Sequence, residues 1–274
     1  MAVMLRPLTL GELLDRAFQL YRSRFAVFVG IAAVAYLPFF VVRAAGLWAP
    51  RMFSPSVTTS AAIGLLVAVV FNLLAVAAAN SATIIVVSAA YLEKTITLGE
   101  AYGRVSGMLL RVFFIMIGMG IGIGIGTLLF IIPGIILSLM WALAIPVAVL
   151  EDTGLGESLA RSRQLTAGHR SRVFAIYLLY FALVLALEMG LMLPLGAVIA
   201  IKGHTGGAAA VTPILQVASA ILSYVIECLV TPILTISLSL MYYDERVRKE
   251  AFDIHLMMAA LGEGPAGSAA ASAS

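Results

Sequence analysis

The sequence predicts an all-α integral membrane protein, with six transmembrane helices in three hairpins, each preceded by a short cytoplasmic interfacial helix. Three observations carry this. Of 274 residues, 62% are hydrophobic and 11% charged, against about a quarter charged in a soluble domain. The apolar residues fall in blocks of roughly 18 to 33, enough to cross a ~30 Å hydrocarbon core. A short motif, Leu-Gly-Glu, three residues, then Arg, occurs three times, each time before a pair of these blocks.

Membrane helices are expected over 25–48, 60–92, 112–131, 133–150, 173–201 and 211–242. The first block starts at Phe25 and exceeds a signal-peptide core, so it reads as a retained helix. Arg111 and Glu151 bracket 39 residues without a charge, which as one helix would be ~58 Å long. A break is expected at Pro133-Gly134, because proline removes a helical hydrogen bond and glycine permits a turn. A single kinked or re-entrant element is the alternative. Residues 1–261 form one membrane domain of three pseudo-repeats starting near 9, 97 and 154, and 262–274, which lacks large apolar residues, is expected to be disordered.

The net charge of +3 is spread over the segments between blocks, which suits a membrane surface and not nucleic acid. Fourteen Lys and Arg residues fall before helix 1, between 2 and 3, between 4 and 5, and after 6; three (Arg43, Arg51, Lys202) fall on the other side. The positive-inside rule therefore places both termini in the cytoplasm, as in a bacterial plasma-membrane protein.

The repeated motif has the chemistry of a helix start. Thr9 with Glu12, and Thr97 with Glu100, have capping-box spacing, in which threonine and glutamate satisfy backbone N–H groups of the first turn. Arg16, Arg104 and Arg161 stand four residues after Glu12, Glu100 and Glu157, where surface pairing contributes ~0.3–0.5 kcal/mol. Gly154 replaces threonine in the third copy, so that cap is expected to be weaker. Leu10, Leu13, Leu14, Ala17, Phe18 and Tyr21 make an amphipathic stripe suited to the interface; the third copy loses this stripe to serines.

The opening RPLTLGELLDRAFQLYRSRF, the middle stretch PGIILSLMWALAIPVAVLEDTGLGESLARSRQLTAGHR and the closing YYDERVRKEAFDI resemble a bacterial family named for the membrane domain attached to some glycerophosphoryl diester phosphodiesterases. The resemblance includes Pro133, Gly134, Pro146, Glu151, Ser158, Leu159, Arg161, Ser162, Leu165, Thr166 and Gly168. It implies a membrane domain only, since the phosphodiesterase chemistry of that family belongs to a separate soluble domain.

No catalytic, metal or cofactor signature is found. The three histidines, His169, His204 and His255, are scattered, Cys228 is alone, and no phosphate loop, zinc motif or nucleophile elbow occurs. Gly118, Gly122 and Gly126 share a helical face and suit close helix packing. The sharper lead is Glu188 and Glu227, at similar depth on consecutive antiparallel helices, with Asn80 a candidate partner from helix 2. Carboxylates are costly in lipid and default to a partner or cavity. They fit either a proton or cation site or a hydrogen-bonded core pair. Two functions follow: a non-catalytic scaffold or accessory module, with lipid or amphiphile handling, or a small ion-coupled transporter. The bilayer is the expected partner, with other membrane proteins or a homo-oligomer compatible; no cofactor is implied.

Overall fold

The computed structural model describes residues 8–46, 58–92, 94–204 and 208–262. Arg51 and the expected tail from 263 onward lie outside them. The described residues form α1 (Leu10–Ser23), α2 (Phe25–Gly46), α3 (Thr58–Tyr91), α4 (Leu98–Val105), α5 (Leu109–Leu129), α6 (Ile131–Met140), α7 (Ala144–Leu150), α8 (Leu155–Thr166), α9 (Arg170–His204) and α10 (Ala208–Gly262). Five segments are long and apolar enough to cross a membrane, and the bent pair α1 and α2 brings this to six if counted as one span.

α3 lies at the centre, packed against α2, α4, α5, α7 and α10. Its buried face is rich in small residues, including Ala77, Ala79, Ser81 and Ala82, which let neighbouring backbones approach where lipid supplies no hydrophobic drive. α2 packs on α3, α5 on α6, and α9 on α10, so spans adjacent in sequence are adjacent in space.

α1 turns through 81° into α2. The centre of its apolar stripe, Leu13, Ala17 and Tyr21, is buried, and the Tyr21 hydroxyl donates to the Leu229 carbonyl of α10 at 2.9 Å. Protein therefore covers most of the stripe expected to face the interface, leaving Phe18 on its exposed flank.

The break in the long uncharged stretch lies at Phe130, which is extended (φ −159°, ψ 145°), three residues before the expected Pro133. Proline sits instead in the first turn of α6, where its missing N–H has no intrahelical partner to lose. Glycine makes this hairpin tight. A Cβ on Gly126 would stand 3.3 Å from the Gly134 Cα, and one on Gly134 would stand 2.9 Å from the Thr127 Cα. Gly118 meets Leu155 and Gly122 meets the Trp141 ring, whereas Gly120 and Gly124 face open space.

The expected fourth span is broken at Trp141–Leu143 into α6 and α7. The serines that displaced the apolar stripe of α8 explain how the break survives. Ser162 accepts from the Leu143 N–H at 3.1 Å and donates to the Met140 carbonyl at 2.8 Å, while Thr166 also donates to Met140 at 3.2 Å. Ser158, Ser162 and Thr166 are fully buried. α10 continues past the expected end at 242 to Gly262, and the prolines at 194, 213 and 232 do not interrupt their helices.

These contacts separate the glycines by experiment. Gly134→Ala should destabilise the protein by about 1–3 kcal/mol, because the obstacle is backbone and cannot swing away. Gly124→Ala should leave the melting temperature in detergent unchanged or raise it, since alanine is the better helix former.

Candidate functional site

The three helix starts are built differently. Thr9 Oγ1 accepts from Glu12 N–H at 3.3 Å and Glu12 Oε2 accepts from Thr9 N–H at 2.8 Å. The α4 start matches it, with 3.4 Å for Glu100 N–H to Thr97 Oγ1 and 2.9 Å for the return bond. The Thr97 amide is the main reason that Glu100 ionises below its ordinary value of 4.5. At α8 only the return half exists, Gly154 N–H to Glu157 Oε2 at 3.4 Å. Ser158 partly substitutes, through a 2.8 Å bond with the Thr153 hydroxyl.

Arg16 lines a small pocket with Leu8 and Tyr91, and Arg104 acts electrostatically on Glu100. Arg161 turns away from its own helix to Glu151, at 3.3 Å, and to Glu250. These contacts lead to a polar cluster at the basic end of the bundle, built on the closing sequence. Its centre is Arg172, 2.7 Å from Asp244 and 2.9 Å from Glu245, both carboxylates being at most 1% exposed. His169 lies 2.8 Å from the other Glu245 oxygen. Arg248 pairs with Asp244 at 2.9 Å, and the Leu8 N–H donates to Asp244 at 2.7 Å. Arg172 and Arg248 also donate to the Leu8 carbonyl, so the segment before α1 is clasped at both backbone groups.

A second branch begins where the Tyr242 hydroxyl donates to Glu151 at 2.8 Å. Arg246 holds Glu250 at 2.7 Å, and Lys249 donates to the carbonyls of Gln164 and Ala167 at the C-terminal end of α8. Arg111 pairs with Asp152, holding that carboxyl below its ordinary range. Asp244, Glu245 and Tyr242 were not singled out from sequence as site residues. The signal available was a charged run continuing the helix, with acids and bases four apart.

The membrane-embedded polar residues divide into two groups. The side chains of Glu188 and Glu227 both lie near the Tyr180 hydroxyl, and that of Glu227 also near Tyr36. Tyr36 and Tyr180 both lie beside Thr231, one turn along α10 from Glu227. Glu227 is half-buried; Glu188 is on the exposed face of α9. Asn80 is joined elsewhere, its Oδ1 accepting from Thr235 at 2.7 Å. Thr231 and Thr235, at four and eight residues from Glu227, are the periodic signal that sequence reasoning passed over. Among the described residues no three His, Cys, Asp or Glu side chains are placed to hold a metal.

Comparison with known families finds one match, the membrane domain of glycerophosphoryl diester phosphodiesterase, over residues 113–260. That is more than half of the chain. The chain belongs to this family. The family region runs from α5 to near the end of α10, and so contains Glu151, Arg161, His169, Arg172, Asp244, Glu245 and Glu250, but not the Leu8 segment that they clasp. No curated protein and no solved structure matches the chain.

Removing Arg172 takes the shared cation from two buried carboxylates, leaving Asp244 to Arg248 and the Leu8 N–H and Glu245 to His169, so Arg172→Leu should cost about 1.5–3 kcal/mol in detergent unfolding. Arg246→Gln, in a largely exposed pair, should cost less than about 1 kcal/mol.

Thr97→Ala should lower α4 stability by about 0.5–2 kcal/mol, read from amide protection of its first turn. Because the folded Glu100 pKa is depressed, its stabilisation is fully present above 4.5 and lost as pH falls from there through the folded value. In Glu100→Gln this acid-dependent loss of α4 protection should disappear.

Proposed function

We propose that this chain is a non-catalytic integral membrane module, a scaffold or accessory unit of a bacterial plasma membrane with lipid or amphiphile handling. In this reading six spans form three hairpins, both termini are cytoplasmic, and α1, α4 and α8 lie at the cytoplasmic surface. One observation carries it: the polar groups of the cluster around Arg172 are spent on one another and on backbone, joining the Leu8 segment, α8, α9 and α10. That is the arrangement of a rigid base. An active site needs acids and bases left available to a substrate.

A small proton- or cation-coupled transporter is the second reading, favoured by two acidic side chains, Glu188 and Glu227, within consecutive packed membrane helices and both near Tyr180. The two are separated by proton uptake into liposomes holding the purified chain. The module reading expects no uptake above protein-free vesicles and no effect of Glu188→Gln. Uptake by the wild type that vanishes in a normally folded Glu188→Gln variant would replace it with the transporter.

Orientation is tested by cysteine labelling in cells, in a Cys228→Ser background. Positions 104, 169 and 248 should be protected from an impermeant external reagent, and positions 55 and 202 should react; labelling of 104 from outside would defeat the six-span topology.

A further inference from the structure

A cavity of about 340 Å³ opens beside the basic end of α3, where the linker to α4, α4 itself and Leu150 at the end of α7 surround it. This is within the range of small-ligand pockets. Its lining is sorted by polarity. Ile85, Ala89 and Leu92 recur along one face of α3, and with Met108 and Leu150 they make an apolar wall. Lys94, Arg104 and Glu100 stand on the linker and α4.

The cations are exposed, and no ion pair is formed by the Lys94 ammonium among the described residues. Glu100, the one acid in the lining among the described residues, is tethered to the Thr97 N–H and faces Arg104. Arg24 adds a third cation nearby and fixes the linker, donating to the Lys94 carbonyl at 2.9 Å. The local balance is therefore positive. The apolar wall climbs α3 by about 10 Å from Leu92 to Ile85, toward the middle of the span. Basic groups at the water side and an apolar wall on the bilayer side match the polarity of an anionic lipid lying across the interface.

We propose that this cavity is a binding site for an anionic phospholipid, its phosphate held by Lys94 and Arg104 and its glycerol and upper acyl carbons lying along Ile85, Ala89 and Leu92. The site rests on the proposed reading of the chain as a membrane module with its basic end at the bilayer surface, and it gives that module a lipid class.

The test is native mass spectrometry of the full chain in neutral detergent, titrated with phosphatidylglycerol, phosphatidylcholine or inorganic phosphate. Wild type should retain one phosphatidylglycerol per chain in preference to phosphatidylcholine. Lys94→Gln with Arg104→Gln should weaken retention about ten- to thirtyfold, a factor of about five for each basic residue. Leu92→Asp, at an exposed position of the wall, should weaken it too. Arg22→Gln with Arg163→Gln removes the same charge from exposed positions away from the cavity and should not.

Equal retention by the folded Lys94/Arg104 double variant, or equal loss in the Arg22/Arg163 control, overturns the site. Displacement of the lipid by millimolar phosphate would assign the cations to a free anion and overturn the lipid assignment. The proton-uptake measurement uses none of these variants, so failure of the lipid site and failure of the module reading are distinguishable.

Discussion

Helices in a bilayer gain nothing by moving apolar side chains from lipid to protein, so their association depends on close backbone approach and on polar groups that must find partners. In this chain the second requirement is concentrated on Arg172. Its guanidinium is shared between Asp244, Glu245 and the Leu8 carbonyl, and this one side chain ties α9 to α10 and to the start of the molecule. Among the described residues it is the one side chain that both buried carboxylates share, with Arg248 completing Asp244 and His169 completing Glu245. With it, they fix how the long helices meet at the basic end.

The same requirement explains the irregular parts. A break inside a span exposes backbone groups that lipid cannot satisfy. The break between α6 and α7 is tolerated because α8 presents Ser162 and Thr166 to the freed groups of Met140 and Leu143. α8 thus has a different role from α1 and α4, although all three begin on the same motif. α1 and α4 keep the full capping box and bury alanine with apolar neighbours; α8 has half a box and buries hydroxyls. Replacement of apolar residues by serine and threonine in the third copy follows from what that helix touches.

Much of the helical framework was legible because it rests on local chemistry. Two caps follow from Thr and Glu three apart, and the packing of Gly118, Gly122 and Gly126 follows from a four-residue spacing. The position of the hairpin break was less legible: Pro133 and Gly134 marked the region, but proline stabilised the first turn of α6 while Phe130 supplied the bend. The polar lead was divided. Depth along a helix can be counted, and it put Glu188 and Glu227 at one level; azimuth cannot, and Asn80 turned to Thr235 while Tyr180 and Thr231 came to the acids.

Residue order alone is enough to establish a helical membrane protein, the course of most of its helices and the end that carries the basic charge. These depend on composition, block length and spacing within one helix, and none needs a neighbour. It takes the packed helices to show that Asp244 and Glu245 are buried on Arg172, that α8 repairs a broken span, and that Lys94 and Arg104 flank a cavity with an apolar wall. Each joins residues far apart in the chain, and such a meeting is fixed by the rotation and crossing of whole helices, which no local pattern encodes.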